Sequence, residues 1–170
     1  GQTAVLSQSA ITSASTLRNG AINATLRAEI DRANDDTAVD AGAYRTDVED
    51  LLATYQQRTT DLVAEIEPVE AAAVVASSEA FVTDMEAIIA ALGTVEGSEI
   101  TRTRLASGSY DAVIGSLVDV RDERVREALA QAAYAGEAAD GIRFVVVIVL
   151  PLIAVLIMRW VFRKRREREV

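Results

Sequence analysis

The chain has 170 residues, with 26 acidic against 17 basic side chains for a net charge of −9, and neither cysteine nor histidine. Without cysteine there is no disulfide framework and no thiolate site; without histidine the commonest general base and the commonest zinc ligand are gone. The acidic excess falls in residues 1–141 and argues against a nucleic-acid partner there, because that part offers no basic stripe to phosphates.

Abundant alanine and few aromatics point to closely packed helices rather than a sheet sandwich. Residues 3–34 carry Ala14, Leu17, Ala21, Ala24 and Ala28 in steps of three and four, and Ile11, Ile22, Leu26 and Ile30 widen the same face, which predicts a first helix. Gly20 inside it costs about 1 kcal/mol relative to alanine, so a packing contact is expected there. The run NDDTAVD at 34–40 is a turn, rich in residues that cap helices or bond their own backbone. A calcium loop from Asn34, Asp35, Asp36 and Asp40 lacks the spaced ligands and the central glycine of an EF-hand, and no metal or cofactor is expected.

A second helix is predicted from about Asp40, with Tyr44, Val48, Leu51, Tyr55, Leu62 and Ile66 at helical spacing. Pro68 ends it and opens a third, since proline suits a first helical turn. Phe81, Met85, Ile88, Leu92 and Val95 form the apolar seam of that helix. Gly93 and Gly97 leave its end open between Leu92 and Ala106. The run LASGSYD at 105–111 is a second turn, with Gly108 as C-terminal cap and Ser109 as N-cap. From Ser109 one helix is expected to run on without a break, its stripe of Ile114, Val118, Val125, Ala128, Ala132, Ala135 and Ala139 interrupted by the charge of Arg121.

That last helix leads into residues 141–162, GIRFVVVIVLPLIAVLIMRWVF, whose centre at 144–158 has no charged or polar side chain. At helical rise the stretch covers roughly 33 Å, enough for a bilayer core. Pro151 is tolerated in a membrane helix, Trp160 suits the headgroup belt, and Arg143 and Arg159 stand near the ends, within reach of the interface. Arg163, Lys164, Arg165, Arg166 and Arg168 follow, and the positive-inside rule places them in the cytoplasm. Residues 1–141 then lie outside the membrane, with 10 arginines against 24 acidic side chains, a net of −14. The expected organisation is an extracytoplasmic domain at 1–141, a transmembrane helix at 142–162 and a basic cytoplasmic tail at 163–170. The fold class is all-α, an up-down-up-down four-helix bundle continuing into the C-terminal transmembrane helix. A helix this long opening without an anchor also leads us to expect a further membrane segment upstream.

An acidic outer bundle, a turn of the form Leu-Ala-Ser-Gly-Ser-Tyr-Asp-Ala before the last helix, and passage into a span followed by RKRREREV resemble the four-helix-bundle sensor domains of bacterial and archaeal transmembrane receptors, of the histidine kinase or chemoreceptor type. The all-helical nitrate- and nitrite-sensing domains are a related type. The resemblance implies a homodimer, a first span before residue 1 and a cytoplasmic signalling module after residue 170.

Catalysis is not expected of this segment, because no nucleophile–base pair, metal cluster or glycine-rich phosphate loop can be assembled from it. The candidate ligand site is a small-anion site. Arg18, on the face of Ile11 and Ile22, and Arg121, on the last helix, are placed at similar heights by counting from the chain start and from Gly141, with Asn19 and Asn23 as added donors. The functional expectation is a sensory input domain that passes ligand or membrane signals through the last helix. The alternatives are a non-enzymatic membrane-anchored adaptor or stalk, and the outer part of a nucleotide-cyclase receptor. The lipid bilayer is the expected partner of the span.

Overall fold

The computed structural model describes residues 2–34 and 41–144, with side chains as far as residue 135. Over these residues every regular element is a helix: α1 (Gln2–Asn34), α2 (Gly42–Val63), α3 (Pro68–Ala91), α4 (Gly97–Leu105) and α5 (Ser109–Phe144). Among them no helix is long and apolar enough to cross a membrane. The span expected at 142–162 lies outside the described residues from 145 onward, as do the basic tail and Asp35, Asp36 and Asp40 of the first turn. The chain divides into two compact units, one ending at Val125 and the other starting at Arg126. In the second, α5 is helical through Phe144 and its side chains at 126–135 are exposed. The packing described next is that of the first.

Local chemistry sets the helix ends. Pro68 stands at the start of α3, and the Glu67 backbone N–H donates to Glu70 Oε2 at 3.3 Å, satisfying a donor the first turn leaves free. The end of α3 falls at Ala91, with the turn at 92–96 separating it from the short α4. Two cations close that end. Arg32 of α1 donates to the carbonyl oxygens of Gly93, at 2.6 Å, and Thr94, and Arg45 of α2 donates to the Leu92 carbonyl at 3.3 Å. Carbonyls at a helix C-terminus lack intrahelical partners and carry partial negative charge, so arginines from two neighbouring helices suit them.

The core stripe of α1 is Ala10, Ala14, Leu17, Ala21, Ala24 and Ala28, all buried, while Leu26 and Ile30 are exposed on its flank. Opposite these small side chains stand the bulky ones: Tyr55 and Leu62 from α2, Phe81, Met85 and Ile88 from α3, and Leu117 from α5. The buried line of α5 is Val113, Leu117 and Val120 rather than the expected Ile114, Val118 and Val125, one step around the helix; Ile114 and Val118 are half-buried and Val125 is exposed. Val95, expected in the seam of α3, is exposed in the turn beyond it.

Contacts between neighbours run in opposite chain directions. Gly20 of α1 lies so close to Leu51 of α2 that a Cβ there would stand 2.5 Å from Leu51 Cδ1, and Asp31 Oδ2 accepts from the Tyr44 hydroxyl at 2.6 Å. Between α1 and α5, Ser7 Oγ donates to the Leu117 carbonyl at 2.5 Å and Ser15 Oγ meets Tyr110 Oη at 2.9 Å. Between α3 and α5, Glu70 accepts from Arg124 at 2.6 Å and Ser77 Oγ meets Ser116 Oγ at 2.7 Å. Tyr55 Oη and Ser78 Oγ, 2.8 Å apart, join α2 to α3, and the hydroxyls of Thr25 and Thr101, 3.0 Å apart, join α1 to α4.

Gly108 takes φ 86° in the turn before α5, a left-handed conformation, whereas Gly115 lies inside α5 with nothing within 4 Å of where a Cβ would stand. Gly108→Ala is therefore expected to lower stability by about 1 kcal/mol through backbone strain, and Gly115→Ala to raise it by about 0.5–1 kcal/mol through helix propensity. Thermal unfolding of the two variants beside the parent checks both signs.

Candidate functional site

The candidate anion-site residues fall into separate places. Arg18 is half-buried, with its guanidinium carbon 4.7 Å from the centre of the Tyr110 ring, an arrangement in which the ring face carries the cation. Its Nε is buried without a hydrogen-bond partner. Asn19 and Asn23 are exposed on the outer side of α1. Arg121 is half-buried much nearer the start of α1. Its Nε and Nη2 donate to Asp122 Oδ1 at 3.0 and 2.9 Å, and its Nη1 donates to Gln8 Oε1 at 3.3 Å. Gln8 and Arg18 are ten residues apart on α1, about 15 Å along the axis. The structure does not bring the two guanidinium groups together.

Arg18 instead ends a line of rings that crosses the first unit. Tyr55 of α2 meets Phe81 of α3 edge-to-face with centroids 5.3 Å apart, and Phe81 meets Tyr110 of α5 at 5.8 Å. Such pairs add about 0.5–1.5 kcal/mol beyond the area they bury. Burial pushes the Tyr55 phenol above its ordinary pKa, with its hydroxyl contact to Ser78 pulling the other way, so it is a neutral hydrogen-bonding group at any physiological pH. Tyr44, Tyr55, Phe81 and Tyr110 are spoken for by packing and by these bonds, which makes a poor aromatic ligand cage.

Asp84 is the buried carboxylate of the described chain and had no place in the sequence reading. It is 5 % exposed on the apolar seam of α3, between Phe81 and Ile88. Ser107 Oγ and Ser109 Oγ each donate to its Oδ2 at 2.6 Å, and Arg104 Nη1 donates to its Oδ1 at 3.2 Å. The Ser109 backbone N–H in turn donates to Ser107 Oγ at 3.1 Å. One side chain thus clasps the Ser-Gly-Ser turn from which α5 starts. Burial by itself pushes the Asp84 carboxyl up, but the bonds from Ser107, Ser109 and Arg104 together outweigh it and hold the group below the usual carboxylate range. The available signal in the sequence was a lone carboxylate among Phe81, Met85 and Ile88, in a chain with a serine-rich turn able to supply donors.

A surface groove of about 670 Å³ runs along the first half of α1, between Leu51, Thr54 and Arg58 of α2 on one side and Arg121 and Val125 of α5 on the other. A second, of about 690 Å³, lies between α2 and α3 over Thr59 and Val82. Among the described residues no group of three or more acidic side chains is placed to hold a metal ion. Compared with protein-family models, curated proteins and solved structures, the chain matches none.

The pH dependence of Asp84 has a definite sign. A carboxyl held below its unfolded value contributes stability that is fully present above the ordinary carboxylate range and lost as pH falls through the folded value. Acidification below about pH 4 is therefore expected to lower the melting temperature more steeply in the parent than in Asp84→Asn. At neutral pH that variant should lose about 1–3 kcal/mol, because the hydroxyl and guanidinium donors lose their charged acceptor. Melting curves at several pH values, parent against variant, check this; parallel curves would show that the clasp is not charge-dependent.

Proposed function

We propose that residues 1–141 are the extracytoplasmic input domain of a membrane receptor, an up-down-up-down four-helix bundle of α1, α2, α3 and α5 with α4 across one end. In this reading α5 leads into a transmembrane helix at 142–162 and a basic cytoplasmic tail at 163–170. The observation that carries it is the join: α5 is helical to Phe144, and the sequence continues from there through an uncharged apolar stretch into a cluster of arginines. The antiparallel order of the contacts between α1, α2, α3 and α5 supports the bundle.

The clasp of Asp84 on the start of α5 gives such a domain its handle. A ligand or bilayer change that altered the α3–α5 contact would move the helix whose far end enters the membrane. The family resemblance supports a homodimer and a downstream kinase or chemoreceptor module as the output. An adaptor or stalk would use the same helices as a passive anchor.

Two measurements on the full-length natural protein in cells test the proposal. Single cysteines at Glu86, exposed on α3, and at Glu169 in the basic tail are offered a membrane-impermeant thiol reagent. Labelling at 86 in intact cells and at 169 only after permeabilisation is expected; the reverse pattern would overturn the topology. Inserting four residues after Glu137 turns everything below by about 40° at 100° per residue, which should change the output of a receptor while the melting temperature of the outer domain holds. Unchanged output would favour the passive anchor.

A further inference from the structure

The chain holds three asparagines, Asn19, Asn23 and Asn34. Asn23 is followed by Ala24 and Thr25, the Asn-X-Thr order that marks an acceptor of N-linked sugar when X is not proline. Asn19 precedes Gly20 and Ala21, and Asn34 precedes Asp35 and Asp36, so neither shares that order. A three-residue pattern recurs by chance; the way α1 presents the two ends of this one gives it meaning.

In a helix, residues i and i+2 point about 200° apart. Asn23 accordingly faces outward, exposed and with no hydrogen bond among the described residues, whereas Thr25 faces inward and is buried. Thr25 Oγ1 lies 2.9 Å from the Ala21 carbonyl oxygen and 3.0 Å from Thr101 Oγ1 of α4. A folded α1 therefore offers the amide but not the hydroxyl, and an enzyme that must hold both acts only on chain that has not yet folded. Once α1 forms, the substituted amide still lies on open surface. The fold accepts the product of a reaction it would block.

The surface beside Asn23 also suits a sugar chain. Every exposed side chain of α1 from Gln2 to Leu26 is uncharged, in a segment that carries 24 acidic side chains. Helical side chains lean toward the helix N-terminus, so a group on Asn23 covers the turn before it. There Thr16 and Asn19 are exposed and present hydroxyl and amide groups able to bond sugar hydroxyls.

We propose that Asn23 is an N-glycosylation site, with Ala24 and Thr25 completing the acceptor. The sugar donor is an oligosaccharide carried on a lipid phosphate. Asn23 Nδ2 forms a bond to C1 of the first sugar, the bond from C1 to the phosphate oxygen breaks, and the lipid phosphate leaves with its electron pair. The amide nitrogen gives one proton to the transferase's base. Transfer takes place on the outer side of the membrane, so the inference rests on residues 1–141 being extracytoplasmic. A sugar chain here keeps a second copy of the chain off this part of α1, and a homodimer then meets through other surfaces.

The test is made on the full-length natural protein purified from its own host. Trypsin cuts after Arg18 and Arg27 and isolates residues 19–27. Mass spectrometry with fragmentation of that peptide should find sugar on Asn23 rather than Asn19. Asn23→Gln and Thr25→Ala should return the peptide at bare mass, and Thr25→Ser should keep the sugar. Asn23→Gln changes only an exposed side chain, so the variant should fold as the parent does and its loss of sugar is not a loss of fold. Sugar that stays on the peptide in Asn23→Gln or Thr25→Ala would overturn the inference, and so would a bare parent peptide. Asp36→Thr, which completes the same order at Asn34, separates the causes of a bare peptide. If that variant gains sugar at Asn34, or position 86 is labelled from outside, the topology stands and Asn23 alone is wrong; if neither happens, the topology has failed with it.

Discussion

The first unit is organised by what α1 withholds. Its core stripe offers mostly methyl groups, from Ala10, Ala14, Ala21, Ala24 and Ala28, and small residues let neighbouring backbones come close. The missing volume has to be supplied from the other side, which is why the large buried side chains, Tyr55, Phe81, Met85 and Ile88, belong to α2 and α3. Two of these rings meet edge-to-face, the line continues to Tyr110 on α5, and Arg18 of α1 closes it as a cation over a ring. Four helices are tied by a single row of rings, and the position of α5 follows from where Tyr110 must sit.

Much of the helix order was legible because its punctuation is local. Pro68, the serine–glycine–serine turn and the three-and-four spacing of alanines act within one or two turns of chain, and they mark helices close to those observed. The choice of face on α5 was harder, because Val113, Leu117 and Val120 repeat with the same spacing as Ile114, Val118 and Arg121. Both lines are apolar enough to be buried, and periodicity alone cannot rank them. Arg121 was the usable clue. A charge on one of two adjacent apolar lines marks that line as the flank, and the flank is where Ile114 and Val118 lie.

Heights in a helical assembly are set by contacts, not by counting from chain ends. Counting places the start of α1 level with Gly141; the bond from Ser7 to the Leu117 carbonyl places it opposite about Asp122, near the middle of α5. That difference separates Arg18 from Arg121 and brings Arg121 to the groove shared with Arg58. Asp84 was missed for the same reason: its donors come from residues twenty or more positions away, and no local pattern announces that a serine turn will fold back over α3.

Four of the bonds that stitch one helix to the next are of one kind. Ser15 with Tyr110, Tyr55 with Ser78, Ser77 with Ser116 and Thr25 with Thr101 are pairs of hydroxyls in which either oxygen can be the donor. Such a pair carries no net charge and keeps its strength whatever the ionic strength of the medium. Ser15, Thr25, Ser77 and Ser116 are also placed to donate to a carbonyl one turn back in their own helix, so a hydroxyl that gives its one hydrogen to its partner gives up that bond. These seams are thus held by neutral bonds that salt does not loosen, each anchored to the backbone of a helix it joins wherever the hydroxyl also bonds a carbonyl of its own helix.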